Sequence, residues 1–133
     1  MAHTTNYFNT VILPAEDSAS VAKIPAKPDS VAGLQFGMLV GNPYQHTSDD
    51  VLSAVAAVRN GIPEAERDAY RQIFFSKGQP CFRASPLTKT HGWAVHADAQ
   101  GRMALVDPAS GILEDLTKDA GTKVLMAMRT KRA

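Results

Sequence analysis

Trp93-Ala94-Val95-His96-Ala97-Asp98-Ala99-Gln100-Gly101-Arg102-Met103-Ala104-Leu105-Val106-Asp107 is the stretch on which the fold turns. In its first half Trp93, Val95 and Ala97 alternate with Ala94, His96 and Asp98. In its second half Met103 and Leu105 alternate with Ala104 and Val106. A period of two is the signature of a strand with two different faces. Ala99-Gln100-Gly101 supplies a turn between the halves, and Pro108 stops the second. The stretch therefore predicts a β-hairpin.

Upstream of Gly78 the period is helical. Pro63 suits a first helical position, Glu64 and Glu66 lie in the first turn, and Tyr70, Ile73 and Phe74 form an apolar stripe that ends at Lys77-Gly78. Before it, Thr47 or Ser48 can cap a second helix. Asp49 and Asp50 fall at the positive end of its dipole, and Val51, Val55 and Val58 line one side until Gly61. The short connection predicts that these two helices pack as an antiparallel pair. Ser30 can cap a shorter helix carrying Val31, Leu34, Met38 and Leu39, which Asn42-Pro43 ends.

Toward the N-terminus, Tyr7 to Leu13 is rich in aromatic and β-branched residues and is stopped by Pro14, which predicts a first strand. Residues 15–29, broken by Pro25 and Pro28, read as a surface loop. Toward the C-terminus, Ser110 caps a short helix containing Ile112, Leu113 and Leu116, and Gly121 ends it. Lys123 to Thr130 then places Val124, Met126 and Met128 on one side of a terminal strand, with the Met126, Met128 pair expected in the core. The sum is an α+β domain spanning 1–133. Its mostly antiparallel sheet is built from an N-terminal strand, a central hairpin and a C-terminal strand, with a helical pair packed on one face.

Composition narrows the function classes. Apolar residues make up 44% and charged residues 20% of 133, which is a chain able to bury a core and unlike a disordered one. A net charge of +1 gives no general field toward nucleic acid or an anionic membrane surface. Two stretches are locally basic without an acid: Lys77 to Ala97, with Lys77, Arg83 and Lys89, and the end of the chain from Thr122, with Lys123, Arg129, Lys131 and Arg132. That tail lacks the interleaved aromatics of a nucleic-acid binder, which argues against nucleic acid as a partner. The single cysteine, Cys81, excludes an internal disulfide and a multi-cysteine zinc site, and fits a reducing compartment. The first residues show neither the basic nor the apolar region of a secretory signal, and no apolar run approaches the ~20 residues that span a bilayer. A cytoplasmic domain with no membrane contact is expected.

The candidate site lies between the helices and the hairpin. If Pro80 to Ser85 is extended, Cys81, Arg83 and Ser85 share one face while Phe82 and Ala84 take the other. Pairing that segment beside the hairpin would gather Arg83, Ser85, His96 and Asp98 on one polar face, with Lys89 following as a mobile charge. Arginine offers a planar bidentate donor and serine a hydroxyl, so such a face suits a carboxylate or a phosphate. The plainer alternative is a solvated sheet face on which Arg83 pairs with an acid. The first expectation is a small intracellular binding domain for an anionic small molecule, or for an acidic group on a partner. The competing ones are an enzyme with His96 as general base oriented by Asp98, and a structural module that buries an apolar patch against another copy, a homo-oligomer.

Other chemistries find less support. Cys81 beside Phe82 reads better as a small buried hydrophobe than as a nucleophile served by His91 or His96. His91 and His96 are an odd number of residues apart and fall on opposite faces of a regular strand, while His3 and His46 lie in unrelated segments, so neither a metal site nor a cofactor is predicted. His46 reads as a loop histidine near a helix start. Gly33 and Gly37 sit in a helical pattern without the Lys-Ser/Thr pair of a phosphate loop, and G-x-S-x-G, H-E-x-x-H and C-x-x-C do not occur.

Several strings are distinctive together: Tyr7-Phe8-Asn9-Thr10, Val31-Ala32-Gly33-Leu34-Gln35, Asn42-Pro43-Tyr44, Thr47-Ser48-Asp49-Asp50-Val51-Leu52, Phe75-Ser76-Lys77-Gly78-Gln79, Arg83-Ala84-Ser85-Pro86-Leu87-Thr88-Lys89, Gly92-Trp93 and Met128-Arg129. In these the chain resembles, over nearly its whole length, a family of small bacterial and fungal proteins that carries only a domain-of-unknown-function label. The resemblance implies a stand-alone intracellular domain and supplies no catalytic or binding residue.

Overall fold

The computed structural model describes residues 4–16, 18, 21–79 and 82–127. Among these, five strands form one sheet in the order β2-β4-β3-β1-β5. The hairpin lies at its centre as the alternation predicts: β3 (Ala94–Ala97) pairs antiparallel with β4 (Arg102–Val106), and Val95 faces Leu105 across the ladder. Gly101 closes the turn at φ +81°, a conformation that L side chains rarely adopt. On its other edge β3 pairs antiparallel with β1 (Thr10–Leu13), and β1 pairs parallel with β5 (Lys123–Met126). β1 begins later than the run from Tyr7 suggested, because Asn9 takes a positive φ of 49° and interrupts the extended chain. A short β2 (His46–Thr47), absent from the sequence expectation, pairs with β4. The fold class is α+β with a mostly antiparallel sheet.

One face of the sheet carries Ile12, Val95, Ala97 and Met103, packed in a single cluster with Leu39, Val51, Val55, Phe82 and Leu87. The helices over it are α1 (Val31–Gly41), α2 (Ser48–Arg59) and the short α4 (Pro86–Lys89). At α1 and α2 the caps act where the sequence placed them. Ser30 Oγ accepts from Gly33 N, and Thr47 with Asp50 forms a reciprocal capping box, each side chain accepting from the other residue's backbone N–H. The opposite face carries Val11, Ala94 and Val106 against Leu113 of α5 (Ile112–Lys118), with Leu13 and Leu116 beside them. The loop at 21–29 runs across α1 at Gly33, where an added Cβ would sit 2.1 Å from Lys27 O and 2.7 Å from Pro28 Cα. Its backbone is tied to the segment before β3: Lys23 N donates to His91 O, and Trp93 Nε1 donates to Lys23 O.

Four expectations are corrected. The helix predicted from Pro63 to Gly78 is a 3-10 turn at Glu64–Glu66 followed by α3 (Arg67–Phe74), and no residue of α3 is buried. Ile73 of the apolar stripe is 71% exposed, and the first buried residue is Phe75, just past the helix. The core-facing pair is therefore α1 and α2. Val58 of α2 is exposed rather than inward. The helix predicted from Ser110 starts at Ile112, after a 3-10 turn at Pro108–Ser110 that Asp107 caps by accepting from Ala109 N. In β5 the inward residue is Ala127, just past the strand, while Val124 and Met126 are exposed, so the methionine side faces out. Met128, Cys81 and the basic residues Arg129, Lys131 and Arg132 lie outside the described residues.

Candidate functional site

The segment expected to bring Arg83 and Ser85 beside the hairpin is not extended. Phe82–Ala84 is a 3-10 turn, Ser85 is the N-cap of α4, and both neighbours of β3 in the sheet are other strands. Sequence alternation read this segment as a strand because Phe82 and Ala84 are apolar. A single turn of 3-10 helix, however, buries Phe82 completely and leaves Arg83 at the surface side of the same turn. The proposed polar face therefore does not form. Ser85, buried with Phe82 and Leu87 on the α1 side, and His96, which alternates with Val95 and Ala97 and so projects toward the α5 side, lie on opposite sides of the sheet.

Each residue of that group has a definite local task. Arg83 Nε donates to Met126 O at 2.6 Å, tying the turn to strand β5. Lys89 is half-buried in the last turn of α4 and engaged by other groups. Asp98 Oδ1 accepts from Gln100 N and Arg102 N, both at 2.9 Å, which holds the hairpin turn. It does not orient His96 by a hydrogen bond. The partner of His96 is Tyr44: its hydroxyl and His96 Nδ1 share a 2.8 Å hydrogen bond, and the two rings meet edge to face. Tyr44 reaches this place from a positive φ of 58° just before β2. Burial lowers the His96 imidazole from its ordinary 6.5, against the opposing charges of Asp98 and Asp119. Burial, and then the Asp98 charge, raises the Tyr44 phenol.

A concave feature among the described residues lies on the other side. A cleft of about 350 Å³ opens between α1, α2, the C-terminal end of α3 and the Ser85 turn. Val31, Leu52, Val55, Ala56, Phe74 and Pro86 make it mainly apolar, and Gln35, Arg59, Asn60, Gln79 and Ser85 supply its polar groups. Ser85, the one member of the expected site that lines it, donates its hydroxyl to Gln35 Oε1 at 2.5 Å and accepts from Leu87 N at 3.2 Å. Both residues are buried. Arg59 ends α2, and its Nη1 donates to Asp29 O at 3.2 Å. Neither ion pair seen between described side chains near it or elsewhere, Arg71 with Asp50 and Lys118 with Glu114, involves it. Among the described residues the cleft is thus an apolar hollow with one cation, Arg59, on its wall. Its size is at the low end for a small-molecule site.

Gln35 and Arg59 were missed by sequence reasoning, and for different reasons. Gln35 occupies the inner stripe of α1 between Ala32 and Leu39, so a polar residue at a core position was the available signal. Arg59 looked like an ordinary basic residue in a last helical turn. A second polar cluster is structural: Asp49 accepts from Thr5 N, Thr5 Oγ1 and Thr4 Oγ1 at 2.6 to 2.7 Å, and Asn6 Oδ1 accepts from Asp49 N, so the N-terminal segment is clamped onto the start of α2. Among the described residues no cluster of three or more His, Cys, Asp or Glu could hold a metal ion, and no helix is long and apolar enough to cross a membrane.

The sequence profile described as a family of unknown function (DUF6157) matches residues 2–133. The chain belongs to that family, as the strings around Gly33, Asp49 and Ser85 implied. Comparison with curated proteins and with solved structures found no match.

Proposed function

We propose that this member of the DUF6157 family is a small cytoplasmic binding domain for an anionic small molecule, and that the cleft between α1, α2 and the Ser85 turn receives it. The observation that carries the reading is the pairing of apolar walls with one guanidinium, Arg59, that no described carboxylate neutralises. Apolar walls supply affinity through surface removed from water, and the guanidinium supplies a forked donor set that matches a carboxylate. The volume holds about a dozen non-hydrogen atoms at roughly 30 Å³ each. The cation expected from sequence, Arg83, gives way to Arg59, because Arg83 is turned toward β5. The single cysteine fits a reducing compartment.

The test is thermal unfolding with 4-phenylbutanoate and with the matching alcohol, 4-phenylbutanol. A ligand that binds only the native state stabilises it by about 2.7 kcal/mol at a hundredfold excess over Kd. The acid is expected to raise the melting temperature more than the alcohol, and Arg59→Gln to erase the difference. If neither compound shifts the transition in the wild-type protein, the cleft is not a binding site for this class. If acid and alcohol act alike, Arg59 is not the anion's partner.

A further inference from the structure

Asn60 is followed by Gly61, whereas the other asparagines, Asn6, Asn9 and Asn42, precede Tyr7, Thr10 and Pro43. A glycine has no Cβ to shield its own backbone nitrogen from the side chain before it. At this position the surroundings add no shield either: Gly61 takes φ +66°, a Cβ placed on it would meet nothing within 4 Å, and Asn60 is exposed. The pair forms the exit of α2, with Asn60 as its C-cap. Asn60 Nδ2 donates to Ala56 O at 2.8 Å and to Tyr70 Oη at 3.2 Å, and Gly61 N donates to Val58 O at 3.2 Å. A nucleophilic nitrogen and an amide carbon therefore sit in adjacent residues, restrained by the last turn of a helix, which is the part that frays first. Asn60 also lines the cleft beside its neighbour Arg59.

From this we infer that Asn60 is a site of covalent self-modification, deamidation through a succinimide closed by Gly61, and that the carboxylate it leaves shuts the cleft to anions. The second half rests on the cleft reading given above and adds its regulation. When the turn opens, Gly61 N bonds to Asn60 Cγ and the bond from Cγ to Nδ2 breaks. Ammonia leaves, carrying the proton from Gly61 N. One water then opens the five-membered ring: addition at Cγ gives aspartate, addition at the backbone carbonyl carbon gives isoaspartate, and in either case one proton goes to solvent. Both products have lost the amide that donated to Ala56 O. Both carry a negative charge at the C-terminal end of α2, where the helix dipole is negative as well. The Arg59 guanidinium is an adjacent positive group on the same wall, so the new carboxylate turns to it and competes with an anionic occupant.

The test ages the wild-type protein in warm, mildly alkaline buffer, follows residue 60 by peptide mass mapping, and titrates fresh and aged protein calorimetrically with 4-phenylbutanoate. Residue 60 is expected to exchange the mass of NH2 for that of OH about tenfold more slowly than in the urea-unfolded chain, because the helix end must open first. The aged fraction is expected to bind 4-phenylbutanoate about tenfold more weakly, the order of one hydrogen bond to a charged group. Asn60→Asp installs one product directly and is expected to match the aged fraction, which decides the matter by itself if the variant fails to fold. Gly61→Ala shields the attacking nitrogen with a methyl group and is expected to slow the conversion. If residue 60 of the folded protein outlasts the unfolded chain by more than about a hundredfold, the turn does not open enough to react and the inference is overturned. Conversion with unchanged affinity overturns the switch and leaves the cleft reading standing. Failure of the fresh protein to bind 4-phenylbutanoate overturns the switch and the cleft reading together.

Discussion

The two faces of the sheet are built on the same alternation but differently finished. Toward α1 and α2, Val95, Ala97 and Met103 meet a deep cluster in which Phe82, Leu87 and Val51 are fully buried. Toward α5, Val11, Ala94 and Val106 meet a smaller cluster of Leu113 with the half-buried Leu13 and Leu116, and His96 on this side hydrogen-bonds Tyr44. A thick layer of helices can leave a hollow between them and remain stable, whereas a single short helix cannot. The cleft therefore belongs to the thick side, and the titratable pair to the thin side.

The comparison breaks first at its largest effect. Phe82→Ala, which empties a fully buried site in the thick cluster, is expected to destabilise the protein by about 3–5 kcal/mol in denaturant unfolding, and Leu113→Ala on the thin side by about 2 kcal/mol. Equal effects would mean that the two faces are not different in depth. The second measure is pH dependence. The folded-state pKa of His96 lies below its ordinary 6.5, so the unfolded chain binds the proton first. This contribution to stability is present above pH 6.5 and is lost as the pH falls through 6.5 toward the folded value. The Asp50 carboxyl behaves separately: burial raises it, but the Thr47 backbone N–H and the Arg71 guanidinium outweigh burial and hold it below 3.8. Its contribution is present above 3.8 and is lost at lower pH. His96→Gln is expected to flatten the stability profile between pH 7 and pH 5 without touching the decline below pH 4, and an unchanged slope between 7 and 5 would remove His96 from the account. The smallest effect sharpens the thick side itself. Ile73→Ala on α3 is expected to change stability by no more than about 0.5 kcal/mol, as at an ordinary surface position. A larger loss would place α3 in the core rather than at the rim of the cleft.

Much of the architecture was readable because its signals are local. Ser30 and Thr47 cap as their side chains dictate, Gly101 turns the hairpin, and the alternation around Val95 divides the two faces. The failures share one cause. Tyr70, Ile73 and Phe74 follow helical spacing, yet spacing states that a helix has an apolar side and not that anything will cover it. Phe82, Arg83 and Ser85 alternate like a strand, but a 3-10 turn satisfies the same alternation over so few residues. The candidate site suffered most, since it joined two segments by a strand pairing that the sheet gives to β1 and β4 instead.

Sequence alone determined the fold class, the starts of α1 and α2, the hairpin and its turn, because caps, period and turn residues act within a few positions of one another. It also named Ser85, but as part of a polar strand face beside Arg83 that does not form. Only the tertiary structure decided that Ser85 faces Gln35 across a buried hydrogen bond, that Arg59 rather than Arg83 borders the cleft, and that His96 lies on the other side of the sheet with Tyr44. Those pairings span from 44 to 96 and from 35 to 85. Contacts between residues so far apart are chosen by which surfaces the packed elements bring together, and no local pattern encodes that choice.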